Sequence, residues 1–430
     1  MYLKSFYYLG LLALVLGLGS CTKDHCKTTT TYIKYEPIYM AAEDYRKPIG
    51  LQDARPLKNP GKLYIYRNYL LINEQLEGIH VFDNSNPHAP AKIGFINIIG
   101  NIDMAIKGNT LYADNYTDLL TIDISNWQSI RLLDRELDVF PSYGQDASGR
   151  LLVAYHKEEV TGEVDCSELA GLAGGWGNPQ QEDVAISPVM QGSSTGSNGS
   201  NARTATAVGL GGSMARFTIT GDYLYTVSES DLRIFNISQL DDPQYLGLEN
   251  IGWSTIETIF PHENNLFIGS NNGMYIYSLA NPASPQLTGT FAHANACDPV
   301  YVKGNRAYVT LRSGGICDSY SNQLDVVDVS DLTNPHLIES HPMHNPHGLS
   351  LKNNLLYICE GDVGLKIFDA TDDSRIGERL VAQDPSFFAY DVIASPFDDL
   401  ALVIGRDGFY QYDISDPSQL QRISSILVEE

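Results

Sequence analysis

A chain of 430 residues has room for two or three ordinary domains, and its net charge of −24 excludes a nucleic-acid backbone as partner, because phosphates need clustered Lys and Arg. Tyr is frequent, at 26 residues, which suits β-sheet faces and binding surfaces alike. The acidity itself reads as simple solubility.

In chain order, Lys4 supplies a positive start, and Leu9 to Leu18 is an apolar run too short to span a bilayer. It ends in Leu18-Gly19-Ser20-Cys21, which resembles the lipobox of bacterial lipoproteins. That resemblance implies cleavage before Cys21 and acylation of that residue, and several acyl chains on one residue anchor stably where one does not. Thr22 follows, with no Asp there to suggest inner-membrane retention, so the outer membrane is the expected address. Residues 1–20 are then a signal peptide, 21–60 a lipidated polar tether and 61–430 the folded domain.

From Lys62 a short figure repeats: an apolar β-run closed by Asp. Copies are Gly78-Ile79-His80-Val81-Phe82-Asp83, Leu119-Leu120-Thr121-Ile122-Asp123 and Leu232-Arg233-Ile234-Phe235-Asn236. They continue as Met274-Tyr275-Ile276-Tyr277-Ser278, Leu324-Asp325-Val326-Val327-Asp328, Leu365-Lys366-Ile367-Phe368-Asp369 and Phe409-Tyr410-Gln411-Tyr412-Asp413. The closing carboxylate can accept a backbone N–H two residues on, which starts a turn. Upstream of the closing runs, Gly108-Asn109, Gly221-Asp222, Gly304-Asn305 and Asn353-Asn354 mark tight hairpins, since these residues tolerate positive φ. The anchors are 40, 113, 42, 50, 41 and 44 residues apart. A period in the low forties with several β-runs is the spacing of a propeller blade, four antiparallel strands around a central channel.

The step of 113 holds one further unit, Val139 to Ala147 with Arg150 to Tyr155, and then an insertion at about 166–212 whose stretch from Gly171 on is rich in Gly, Ser, Asn and Thr. Such a composition buries too little apolar surface to fold alone. The expected fold is all-β: a single β-propeller of about eight four-stranded blades, or seven if the third unit is absorbed into the insertion. The copies resemble the LVIVD-repeat family of bacterial extracytoplasmic β-propellers, with Leu324-Asp325-Val326-Val327-Asp328 nearest the pattern and Asn236 and Ser278 departing from the closing Asp. The resemblance implies a fold and a secreted address, and no catalytic residue.

Three constellations bear on chemistry. Cys297 and Cys317 share a repeat lengthened by the loop around Cys317, so a disulfide between them is expected in an oxidising compartment. His336, His341, His344 and His347 lie close together but among prolines, with no metal-binding motif, and read as loop histidines; no metal and no cofactor is expected. Lys62, Asp103, Tyr143, Arg216, Glu257, Asp298, His347 and Asp391 sit at the starts of the expected innermost strands and should converge on one mouth of the channel. Of these, Asp103, Arg216, Glu257, Asp298, His347 and Asp391 are the candidate ligand-binding set. Two functions follow: a lipid-anchored binding or scaffold module for a protein or glycan, or an enzyme using ring carboxylates such as Asp103, Glu257 and Asp298, for instance on a saccharide.

Overall fold

Short apolar strands joined by tight hairpins assemble into seven sheets of the propeller type. The structure, a computed structural model, describes residues 27–165, 208–252, 255–293, 299–313 and 322–429. The chain divides into two units, residues 1–38 with 154–185, and residues 39–153 with 186–430. In the first, Lys27–Met40 pairs with Leu151–Asp165 as a two-stranded sheet, where Thr31 and Thr161 share a hydroxyl hydrogen bond of 2.8 Å.

The second unit is the propeller. Its blades cover residues 60–97, 104–136, 217–250, 256–292, 300–342, 349–384 and 389–427, each with four consecutive antiparallel strands. There are therefore seven blades. The expected third unit is not one of them: Leu151 to Tyr155 belongs to the long strand Leu151–Asp165, which pairs with Lys27–Met40. An apolar run of that length pairs with whichever edge is free, and periodicity alone does not say which.

The closing Asp works as its chemistry requires. Oδ1 of Asp83, Asp123, Asp328, Asp369 and Asp413 accepts the N–H two residues on at 2.8–2.9 Å. Asn236 keeps the same bond at 2.9 Å, and Ser278 keeps it through its hydroxyl at 3.2 Å. A second turn of the same kind follows three residues later at Asn86, Asn126, Asp331, Asp372 and Asp416. All seven blades also carry a register shift between the two residues just before the closing residue, for example Val81/Phe82 and Ile367/Phe368. This bulge bends each outer strand at one place. At the hairpins, Gly108, Gly221, Gly304, Asn353 and Asn354 all have φ between 51° and 62°.

Apolar side chains from facing sheets fill the gaps between blades. Phe368 is buried with Leu324, Leu356 and Ile376, while Phe82, Leu402 and Phe409 pack where the last blade meets the first. Among the described residues no strand is shared across that seam; it is joined by a bridge between Leu57 and Val428.

Two boundaries differ from expectation. Within the expected tether, residues 39–59 are bound to the ring: Arg46 makes a two-pronged contact with buried Asp118 at 2.7 Å, and Leu51–Gln52 extends the first blade. The end of the Gly/Ser-rich insertion also belongs to the propeller. Residues 209–215 are buried, and Leu210 and Gly211 pair with Ile65 and Tyr64 of the first innermost strand.

Candidate functional site

The strap of residues 208–215 decides what the channel can be. Val208 bridges Lys107, at the far end of the second blade's inner strand, and the chain then runs antiparallel to Pro60–Tyr66. It reaches the strand starts at Ser213 and Met214 and continues into the third blade at Phe217. The channel is thus occupied along its length by the protein's own backbone. Small residues make this fit: a Cβ on Gly209 would lie 2.1 Å from the Tyr64 ring, and one on Gly212 1.8 Å from the Asp391 carboxylate.

Two of the predicted ring residues, Lys62 and Asp391, bond this strap, and Asp103 bonds the chain just after it. Lys62 Nζ donates to the Met214 carbonyl at 2.7 Å, and the Ser213 hydroxyl donates to Asp391 Oδ1 at 3.0 Å. Asp103 accepts from the N–H groups of Met104, Arg216 and Phe217 at 2.7, 2.6 and 3.2 Å. Glu257 and His347 are buried as well, the His347 ring edge-on to Phe388 and Tyr390 with Nε2 unbonded. Tyr143 departs from the ring: it lies on the 137–150 connection and is half-exposed. Of the four histidines, His341 bonds the Asp373 carbonyl and His344 reaches Asp362, so they serve separate contacts. Asp298, Cys21, Cys297 and Cys317 lie outside the described residues.

Burial sets the electrostatics here. It pushes Asp391 up to about 7 and Lys62 down to about 7, with the neighbouring opposite charges only partly offsetting it. Asp103 is raised by the same cause, against the pull of Lys62.

Beside the strap, on the face where the inner strands begin, is a cavity of about 140 Å³ between the second and third blades. Phe140, Leu152 and Phe217 are among its apolar walls; Asp103, Asp114, Arg216 and Glu229 bring charge, and Tyr143 hydrogen-bonds Glu229 at the rim. Asp114 is the penultimate residue of the second strand of its blade, Thr110–Asn115. Its Oδ1 accepts from Asn101 Nδ2 and from the N–H groups of Ile102 and Asp103 at 2.7–2.9 Å, while Oδ2 takes no hydrogen bond among the described residues, and the residue lines the cavity. Desolvation, followed at some distance by the charge of Asp103, carries its carboxyl up to about 7. Arg216 makes no ion pair among the described residues, and its Nε is buried without a hydrogen-bond partner. An apolar pocket with a few convergent polar groups is the usual form of a small-molecule site. Sequence reasoning placed Asp103 and Arg216 near an opening and missed Asp114, whose only signal is an acid inside the apolar strand Thr110–Asn115.

Residues 102–135 and 295–341 match the family described as LVIVD repeat, over the second and fifth blades. The chain carries LVIVD repeats. No curated protein matches the sequence. Among solved structures, a protein from Lactobacillus plantarum is similar at TM-score 0.54 and 10% identity, covering 86% of this LVIVD-repeat chain and 96% of its own. The periplasmic gluconolactonase of Pseudomonas aeruginosa is similar at TM-score 0.51 and 12% identity, over 86% of this chain and 97% of that one. A computationally designed protein, Ika8, gives TM-score 0.51 at 11% identity, over 88% and 92%. At these identities the likeness is one of fold.

Proposed function

We propose that this protein is a lipid-anchored, extracytoplasmic binding propeller at the outer membrane, attached through Cys21, and that its ligand site is the cavity between the second and third blades. The observation that carries the reading is the presence, in one apolar pocket, of Arg216, which makes no ion pair among the described residues, and Asp114, whose Oδ2 takes no hydrogen bond among them. Unpaired ionisable groups are costly to bury and gather at functional sites. The cavity's 140 Å³ favours a small molecule over the protein or glycan partner that the sequence suggests.

Binding is favoured over saccharide hydrolysis because a glycosidase needs two working carboxyl groups. Asp103 already holds three backbone N–H groups, and Glu229 is exposed at the rim and bonded to Tyr143, which leaves Asp114 without a second buried acid to work with.

The test is a thermal-shift screen of small acids, amines, amino acids and sugars on the full chain and on Ser228→Trp, which fills the cavity. Ligands that stabilise the wild type and lose their effect in the variant support the reading. Ligands that stabilise both equally, or none at all, overturn it. The anchor is tested by Cys21→Ala, which should leave the protein uncleaved or soluble; membrane partitioning after processing would exclude lipidation.

A further inference from the structure

Asp114 is peculiar to its blade. It is the fifth residue of a second strand, and the fifth residues of the other second strands are Asn73, Val227, Gly269, Thr310, Cys359 and Ile404. Blade packing therefore does not demand an acid there. Arg216, across the cavity wall, forms no ion pair with Asp114 or with any other described residue. The cavity thus presents a cation and a free carboxyl oxygen that are not bonded to each other. A simple carboxylic acid would answer Arg216 only, and a simple amine would answer Asp114 only while facing Arg216.

Resting on the reading of this cavity as a binding site, we infer that it takes a free α-amino acid with a small apolar side chain. The carboxylate lies on Arg216, the ammonium on Asp114 Oδ2, and the side chain against Phe140, Leu152 and Phe217. A guanidinium presents paired N–H donors that match a carboxylate, and hydrogen bonds between charged groups are the strong ones. Asp103 does not compete for the ammonium, since its oxygens hold the N–H groups of Met104, Arg216 and Phe217. Glu229 is exposed at the rim and bonded to Tyr143, so it adds negative potential at the entrance. The volume is what a branched aliphatic or benzene-sized group fills.

The experiment is calorimetric titration of the full chain in detergent with L-leucine, L-valine, 4-methylpentanoate (leucine without its amine) and 3-methylbutylamine (leucine without its carboxylate). The amino acids should bind, and each truncated analogue should bind at least roughly thirtyfold more weakly, as for loss of one buried charge partner. Asp114→Asn retains the Oδ1 acceptor that orders Asn101 to Asp103 and should weaken leucine more than 4-methylpentanoate. Arg216→Met should weaken leucine more than 3-methylbutylamine. Equal binding of leucine and either analogue, or no binding of either amino acid, overturns the inference. The binding-site reading then still stands if other compounds respond to Ser228→Trp, and falls with it if none does.

Discussion

The Ser213 hydroxyl donates to Asp391 Oδ1 at 3.0 Å, a bond between residues 178 apart in sequence that lies on the axis of the ring. The same oxygen of Ser213 accepts the Leu349 N–H at 2.8 Å. With Lys62 on Met214, Gly209 N–H on Ile106 and Ile259 N–H on Ala215, one short strap bonds five of the seven blades. It does what a strand shared across the seam would do in another propeller.

Gly212→Ala should therefore destabilise the protein, because the new methyl would meet the buried Asp391 carboxylate, which would have to move. Overpacking of this kind costs about 1–3 kcal/mol. Gly50→Ala, where nothing lies within 4 Å of the new Cβ, is the control and should stay within about 0.5 kcal/mol. Urea titration of the two variants measures the difference; equal midpoints would mean the strap is not tightly held.

Two deletions separate the insertion from the strap. Removing residues 192–207 takes only polar, apolar-poor sequence and should leave the melting temperature nearly unchanged. Removing 192–212 also takes Leu210, buried with Phe82 and Phe409 at the seam, and should lower it by many degrees or prevent folding. Similar melting curves for the two would place the strap outside the cooperative unit.

Asp391 makes stability depend on pH in a defined direction. It ionises at about 7 when folded and near 4 when unfolded, so between those values the folded state holds the extra proton. Its contribution is full below about 4, is lost as pH rises to about 7, and stays lost above. Lys62 acts oppositely: about 7 when folded and 10.5 when unfolded, it lets stability recover between those values. Asp391→Asn, which still accepts from Ser213, should match the wild type at pH 4 and exceed it by roughly 1–3 kcal/mol at pH 8. A difference that does not change with pH would show that Asp391 stays ionised in the folded protein.

Cys359 is fully buried, and burial raises its thiol well above the ordinary value. It should resist maleimide in the native state and react once unfolded, since the thiolate is the nucleophile. Non-reducing peptide mapping of the same samples tests the proposed Cys297–Cys317 disulfide; separate, unlinked peptides would rule it out.

The repeat was legible because Asp83, Asp123, Asp328, Asp369 and Asp413 each do a local job, bonding a backbone N–H two residues away, and local jobs leave a local mark. The strap was not legible for the opposite reason. Gly209 and Gly212 are small because of what surrounds them, Tyr64 and Asp391 from the first and seventh blades, and in sequence alone they look like more of a flexible loop. The choice between eight blades and seven turned on the same limit: Leu151 to Tyr155 has the pattern of a blade strand, but its partner is Lys27–Met40, far away in the chain, and the seven-blade alternative holds. For the cavity, strand starts pointed to Asp103 and Arg216, whereas Asp114 stands out only when the seven second strands are laid over one another.

A chain that runs along the axis of its own ring constrains the order of assembly. Val153 lies at the cavity on the strand-start face, and Val208 bridges Lys107 at the opposite face, so the polypeptide leaves by one side and returns through the middle from the other. A ring already closed would have to be threaded by a loop of more than fifty residues, whereas a ring still open can be wrapped. Blades built from residues 256–427 come after the strap in the chain and are synthesised last. The seam between Leu57 and Val428 joins the first blade to the last one synthesised, and the axle is captive once it has closed.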